Sequence, residues 1–325
     1  MATTLGEYHQ TIKDVLDEMN RVIHGKDQVV SLVVSSVIAG GHILLEDVPG
    51  VAKTLLARSL ATVVGVEFAR IQFTPDLLPS DIIGMSIWDP ENRRMNFQRG
   101  PIFTNVLLAD ELNRASPKTQ SALLEAMAES QVTVDGVTYP LPDPFVVIAT
   151  QNPIEFEGTY PLPEAQVDRF LTSTTIGYPS SLDERQVVVD HLRTGTANVP
   201  TSKVIDRDQL LGARQVLQQI YVSEAIIDYI VALTRYSRER SSVSLGASPR
   251  GSIALALLAR ACAAVAGRDF VTPEDVKAMA VPALGHRMRL SPEAWIRGVR
   301  RDSIIAEAIQ SIPAPVAVEA PNSAR

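Results

Sequence analysis

The sequence predicts an α/β protein, a parallel-sheet core followed by a helical domain. Three observations carry this. Apolar runs at 42–45, 106–109 and 145–149 each end in polar or acidic residues, with helical patterning between them. That alternation builds a doubly wound sheet whose ligands bind at the carboxyl ends of the strands. The runs are apolar throughout rather than alternating, as in strands covered on both faces. Beyond Pro179-Ser180 the strand patterning fades and helical patterning continues to residue 313.

Residues 5–22 set Leu5, Tyr8, Ile12, Val15, Leu16 and Met19 on one helical face, and 29–38 reads as a more buried second helix. A strand at 43–45, a Pro49-Gly50 turn and a helix over 53–64 follow. Residues 67–72 form a predicted strand closed by the turn Thr74-Pro75-Asp76. Gly100-Pro101 precedes the strand that ends at Asp110. Ser116-Pro117 then starts a helix, with serine at the N-cap and proline in the first turn. Asp135-Gly136, between alternating segments in 131–139, signals a hairpin. In the helical region, Ser248-Pro249 and Thr272-Pro273-Glu274-Asp275 mark helix starts. The expected division is a core over 1–180, a helical domain over 181–313 and a disordered Pro/Ala/Ser-rich tail over 314–325.

A chain of 325 residues with 46% hydrophobic and 21% charged residues fits two domains, or one large and one small, with a sizeable core. The net charge of −7 opposes a surface devoted to nucleic acid, so no nucleic-acid partner is expected. Cys262 is the only cysteine, which excludes an intrachain disulfide and a cysteine-based metal site, and its small apolar neighbours predict an inert thiol. Residues 1–10 show no secretory pattern, and the apolar stretches 29–39 and 253–266 are too short or interrupted to span a bilayer. A cytoplasmic protein without membrane insertion is expected.

Residues 46–54, Glu-Asp-Val-Pro-Gly-Val-Ala-Lys-Thr, join a strand to a helix through a tight turn. Phosphate binding uses that geometry, because turn N–H groups and the positive end of a helix dipole converge on an anion. Lys53 would reach the β- and γ-phosphates and Thr54 would ligate Mg²⁺. The P-loop pattern asks for glycine where Asp47 and Ala52 stand. Ala52 is acceptable there provided its φ is negative, and Asp47 brings a carboxylate towards the triphosphate. Alone, the segment also fits an ordinary turn with Lys53 on the surface.

Its company decides. The strand 106–109 ends in Asp110-Glu111, which has the form of a Walker B strand: Asp110 would hold Mg²⁺ through water or directly, and Glu111 could orient or deprotonate the attacking water. Strand 145–149 runs into Thr150-Gln151-Asn152, where Asn152 can bind the γ-phosphate or the lytic water. Arg250 falls in the first turn of a helix, where the dipole disfavours a cation by roughly 0.3–1 kcal/mol, so an anionic partner is implied.

Pro-Gly-Val-Ala-Lys-Thr (49–54), Asp-Glu-Leu-Asn-Arg-Ala (110–115), Ala-Thr-Gln-Asn-Pro (149–153) and Leu-Pro-Glu-Ala-Gln-Val-Asp-Arg-Phe (162–170) resemble, in this order, the MoxR family of AAA+ ATPases. The resemblance covers residues 22–312 and implies an AAA+ P-loop core with a C-terminal helical lid. It implies an ATP site formed by Asp47, Val48, Pro49, Gly50, Val51, Ala52, Lys53, Thr54 and Asp110, with Thr54 and Asp110 on Mg²⁺. Glu111 and Asn152 (sensor 1) would be catalytic in cis. Arg169 would be an arginine finger and Arg250 sensor 2, with Arg114 a further arginine near the subunit boundary. Residues 74–100 would be an insert in the second core helix, and 131–139 a pre-sensor-1 hairpin. The resemblance further implies a hexameric ring, a von Willebrand factor A domain partner, and a chaperone-like role in maturing client complexes or loading them with metal.

Overall fold

The computed structural model describes residues 5–48, 50–152, 158–194 and 200–316. Pro49 and residues 317–325 of the expected tail lie outside them.

The chain opens with α1 (Leu5–Val22) and α2 (Asp27–Ile38). Tyr8, Ile12, Val15 and Met19 of α1 are buried, as their helical spacing requires. The core continues through β1 (Ile43–Glu46), α3 (Lys53–Val63), β2 (Phe68–Gln72) and α4 (Pro79–Ile83). Next come β3 (Gly84–Asp89), β4 (Arg94–Arg99), β5 (Val106–Asp110), a 3₁₀ turn at Leu112–Arg114, and α5 (Pro117–Glu129). The core closes with β6 (Gln131–Val134), β7 (Val137–Pro140), β8 (Val146–Gln151), α6 (Glu164–Val167) and β9 (Thr172–Thr174).

Five strands form a parallel sheet in the order β2-β5-β8-β1-β9. Because side chains alternate along a strand, Ile43, Leu45, Val106, Leu108, Val146 and Ile148 join α1, α2 and α3 in one core. Leu44, Leu107, Ala109, Val147 and Ala149 meet Leu123, Leu124 and Met127 of α5 on the other face. Both faces are covered, and this is why the three predicted strands are apolar throughout.

The predicted hairpin is β6–β7, with Asp135 (φ 51°) and Gly136 (φ 78°) both left-handed in the turn, as a two-residue hairpin turn needs. The insert differs from expectation. The helix before it is one turn, α4, and residues 101–105 after it carry no helix. The antiparallel pair β3–β4 takes up the segment instead. Its root is too close for side chains: a Cβ on Gly100 would lie 2.2 Å from the Ile82 carbonyl, and Gly84 has φ 99°.

The helical region comprises α7 (Ser181–Thr194), α8 (Arg207–Gln219), α9 (Glu224–Tyr236), β10 (Val243–Leu245), α10 (Pro249–Val265) and α11 (Pro273–Leu284). A 3₁₀ turn at Gly285–Arg287, β11 (Arg289–Leu290), α12 (Pro292–Ile296) and α13 (Arg301–Ser311) complete it. Both predicted starts are capped: Ser248 accepts from the Arg250 N–H, and Thr272 and Asp275 form a reciprocal capping box. The core around α1–α3 is continuous with the buried residues of α8–α11, so residue 180 marks no break in packing. Cys262 is half-buried, and burial pushes its thiol up to about 12. Among the described residues no helix is long and apolar enough to cross a membrane.

Two buried histidines join parts of the fold. His42 precedes β1; its Nδ1 accepts from the Val147 N–H (3.0 Å) and its Nε2 donates to the Met127 carbonyl (3.1 Å). His286 Nε2 donates to the Phe170 carbonyl (3.0 Å). Burial pushes His42 down to about 4 and His286 down to about 3. The unfolded chain protonates both near 6.5, so below that pH it binds more protons than the folded chain. Their contribution is complete above pH 6.5 and is lost as pH falls towards 4 and then 3. Urea midpoints should therefore be flat in these terms from pH 8 to 7. Between pH 6 and 4.5 the unfolding free energy should fall by roughly 1.4 kcal/mol per pH unit for each histidine, and the midpoints with it. A flat profile down to pH 5 would contradict neutral burial.

Candidate nucleotide site

The sheet order places β5, β8 and β1 side by side, about 4.8 Å apart per neighbour. Their carboxyl ends therefore bring together Asp110-Glu111, Gln151-Asn152 and Glu46-Asp47. Glu46 is in register with Gln151, and the Asp47 N–H donates to the Gln151 carbonyl (3.1 Å). Asn152 is buried at the end of β8.

After β1 the chain turns through Gly50 (φ 87°) into α3, whose first residue is Lys53. Ala52, at the N-cap, has φ 62° and ψ 21°. This corrects the expectation of a negative φ: the loop imposes a left-handed residue, and alanine adopts it at a cost of about 1–2 kcal/mol. No side chain caps α3, and its first turn holds no acidic residue. Its orphan N–H groups are thus unopposed by a resident anion. Lys53 Nζ folds back on the loop, donating to the carbonyls of Asp47 (3.0 Å) and Val48 (3.2 Å). Val51 is buried and Thr54 half-buried in this stretch.

Asp47, the residue out of keeping with a phosphate loop, has a separate employment. Its buried carboxylate accepts from the backbone N–H groups of Ile176 and Gly177, the latter at 3.0 Å. It thereby ties the loop to the segment that leads from β9 into α7.

Asp110 is buried at the tip of β5, where Oδ1 accepts from Thr150 Oγ1 (2.7 Å) and Oδ2 from Arg70 (2.6 Å). Glu111 follows with φ 56°, a left-handed conformation that turns its side chain away from the line of the strand. Thr150 Oγ1 holds this turn by accepting from the Glu111 N–H (2.8 Å). Of the five described non-glycine residues with positive φ, Ala52 and Glu111 stand at this site, and Arg93, Ser130 and Asp135 in turns or a helix end. Each of the two at the site carries backbone strain of about 1–3 kcal/mol where the candidate groups converge. Arg114 Nη1 donates to Glu111 Oε2 (2.9 Å). Arg114 is therefore engaged with a carboxylate of its own chain at the tip of β5. The uncapped helix end, the Lys53 ammonium, the Thr54 hydroxyl and the Asp110 carboxylate suit a nucleoside triphosphate with a hard divalent cation. Arg70, which sequence reasoning did not select, would have to share Asp110 with that cation.

Arg169 and Arg250 lie elsewhere. They line one cleft with Gly40, Gly41, His42 and Arg287. That cleft is at the amino end of β1, where the Leu171 N–H donates to the His42 carbonyl (2.8 Å). Arg169 is half-buried, with Nη1 donating to the Leu124 carbonyl and a buried Nε that has no partner among the described residues. Arg250 is exposed. The structure therefore groups Lys53, Thr54, Asp110, Glu111 and Asn152 at one edge of the sheet, and Arg169 with Arg250 at the opposite edge.

Sequence reasoning also passed over Arg287. Its guanidinium is almost wholly buried against Asp168, at 2.8 Å. Burial pushes its pKa down and the Arg250 charge adds to that, while Asp168 opposes both. The available signal was a basic pair, His286-Arg287, placed directly after a helix end at Gly285 and followed by apolar Met288.

The chain is similar to known proteins over most of its length. Residues 42–172 match the family model described as "ATPase family associated with various cellular activities (AAA)", and 235–308 match the AAA lid domain. The chain is 46% identical to YeaC of Bacillus subtilis, over 95% of this chain and 97% of that protein. It is 42% identical to Chaperone MoxR1 of Mycobacterium tuberculosis, over 94% and 82% respectively. A crystal structure described as a putative ATPase from Cytophaga hutchinsonii superposes with a TM-score of 0.89 at 40% identity, covering 96% of this chain and 97% of that one.

Proposed function

We propose a shared-site ATPase cycle for this chain, which belongs to the MoxR family of AAA+ ATPases. One observation carries the reading. The phosphate loop, Asp110, Glu111 and Asn152 stand at the carboxyl edge of the sheet, and Arg169 and Arg250 at its amino edge. The four residues of β1 alone span about 13 Å, and the loop adds to that distance. Two arginines so placed serve a phosphate bound to another copy. A head-to-tail contact repeated around a closed ring supplies them, and the family resemblance favours six subunits.

In this cycle Lys53 leaves the carbonyls of Asp47 and Val48 for the β- and γ-phosphates, while the α3 N-terminus receives the phosphate oxygens. Thr54 and Asp110 would hold Mg²⁺, with Arg70 giving up Asp110 Oδ2 to it. When bound, the ion neutralises charge on the phosphate oxygens. Glu111 takes the proton of the attacking water and Asn152 orients that water. Arg169 of the adjacent subunit stabilises charge on the transferred phosphoryl group, with Arg250 beside it. The Mycobacterium relative's name, Chaperone MoxR1, supports coupling hydrolysis to client remodelling. By the same resemblance, a von Willebrand factor A domain protein presents client complexes for maturation or metal loading.

Mixing two inactive variants tests the shared site. Lys53→Ala subunits keep their arginines, and Arg169→Ala subunits keep their phosphate loop. Neither should hydrolyse ATP alone, and mixed rings should recover a measurable fraction of wild-type turnover. Mixtures as inactive as the separate variants would show that each site is built within one subunit.

A further inference from the structure

Arg287 makes more contacts than a simple ion pair requires. Its Nε donates to Asp168 Oδ1 (2.8 Å). Its Nη2 donates to the carbonyls of Asp168 (3.2 Å) and Phe170 (2.6 Å). Its Nη1 donates to the carbonyls of Leu171 (3.2 Å) and Ala283. A guanidinium has five N–H donors, and all five find acceptors. Three of the gripped carbonyls, at 168, 170 and 171, flank Arg169. The second carboxylate oxygen of Asp168 accepts from Ser248 Oγ (2.9 Å), and Ser248 is the N-cap of the helix that presents Arg250. The first turn of that helix also lies on the Arg287 stem: a Cβ on Gly251 would stand 3.2 Å from Arg287 Cδ.

Anchoring the domain interface alone would not require this placement. The contacts bracket Arg169 on the core side and Arg250 on the lid side. Among the described residues the Arg169 side chain makes one hydrogen bond, to the Leu124 carbonyl, so its direction depends on how the backbone beside it is held. Asp168 is the one carboxylate among the described residues lining the cleft, which holds three guanidinium groups. It keeps the two presented arginines and Arg287 together against their mutual repulsion, and the cleft stays net positive towards an incoming phosphate.

We propose that Asp168, Arg287 and Ser248 form a clamp that fixes Arg169 and Arg250 as one rigid surface aimed at the adjacent subunit's nucleotide. The clamp residues are positioning residues whose effect is felt in trans, and the lid and finger of one subunit move together. This rests on the shared-site reading above. Groups at a reaction centre must be held to within about 0.5 Å, and a 1 Å misplacement costs about 10²-fold in rate.

The test uses the same two-variant rings, in which turnover arises only where a donor (Lys53→Ala) faces a receiver (Arg169→Ala). Adding Asp168→Asn to the donor should lower turnover by roughly 10- to 100-fold, with the KM for ATP within about twofold. The same change on the receiver should leave turnover within about twofold of the parent mixture, because the receiver's surface already lacks its finger. Ser248→Ala on the donor, which removes a single contact, should act in the same direction by a smaller factor and covers the case in which Asp168→Asn does not fold. Equal losses from donor and receiver placement would overturn the clamp in favour of general stabilisation, and so would no loss from either. A parent mixture without activity would overturn the shared site itself, and the clamp with it.

Discussion

Replacing Arg169 by alanine is expected to lower kcat on the order of 10³–10⁵-fold, the range for removal of an arginine finger, while ATP binding is retained. The two effects separate because the residue sits at the edge of the sheet opposite the phosphate loop, in the cleft beside Gly41 and His42. Nothing in the Lys53–Thr54 region depends on it. Within its own chain Arg169 donates to the Leu124 carbonyl, and among the described residues its buried Nε has no partner. Truncation therefore gives up about one hydrogen bond, worth about 0.5–1.5 kcal/mol, and relieves an unsatisfied donor. The fold should survive with little change in melting temperature. Lysine should rescue poorly, since a single ammonium cannot reproduce the planar two-pronged contact of a guanidinium with phosphoryl oxygens. Titration with a fluorescent ATP analogue alongside steady-state turnover checks both halves. Near wild-type turnover would remove Arg169 from the mechanism, and lost nucleotide binding would place it on its own subunit's nucleotide.

The legible and illegible parts of this chain divide along a physical line. Asp110, Glu111 and Asn152 were readable because each sits at or just past an apolar strand end, and Lys53 because it opens the helix that follows the turn after β1. The parallel sheet brings such ends together whatever the intervening sequence. Strand β9 was not readable: Thr172-Ser173-Thr174 carries no apolar signal and forms only by pairing with β1. The Asp168–Arg287 contact joins residues 119 apart in sequence, and no local pattern encodes such a pair. Ala52 shows a subtler failure. Its small side chain suggested tolerance within an ordinary backbone, but the turn dictates a left-handed conformation and the residue conforms. Asp47 puzzled for the same reason in reverse, because its partners, the N–H groups of Ile176 and Gly177, lie far along the chain.

Glu111→Gln is the second large effect expected, a fall in turnover of about 10²–10⁴-fold, the usual worth of a general base. The substitution is nearly isosteric, and the surrounding contacts show why it should isolate chemistry from folding. The strained turn is held by the backbone, through the Glu111 N–H and Thr150 Oγ1, and does not depend on the side chain's charge. Arg114, which donates to Glu111 Oε2, can donate equally to the amide oxygen of glutamine. Asp110 keeps both of its partners, Thr150 and Arg70. What glutamine cannot do is accept a proton from water. The variant should therefore bind ATP as tightly as the parent and hold it, so that variant protein purified with ATP retains triphosphate where the wild type retains diphosphate. Chromatographic analysis of the bound nucleotide reads this directly, without a client or a partner protein. Wild-type turnover in Glu111→Gln would transfer the base to another residue. Loss of ATP binding would mean that the carboxylate, lying beside Arg114, serves mainly to balance charge in the site.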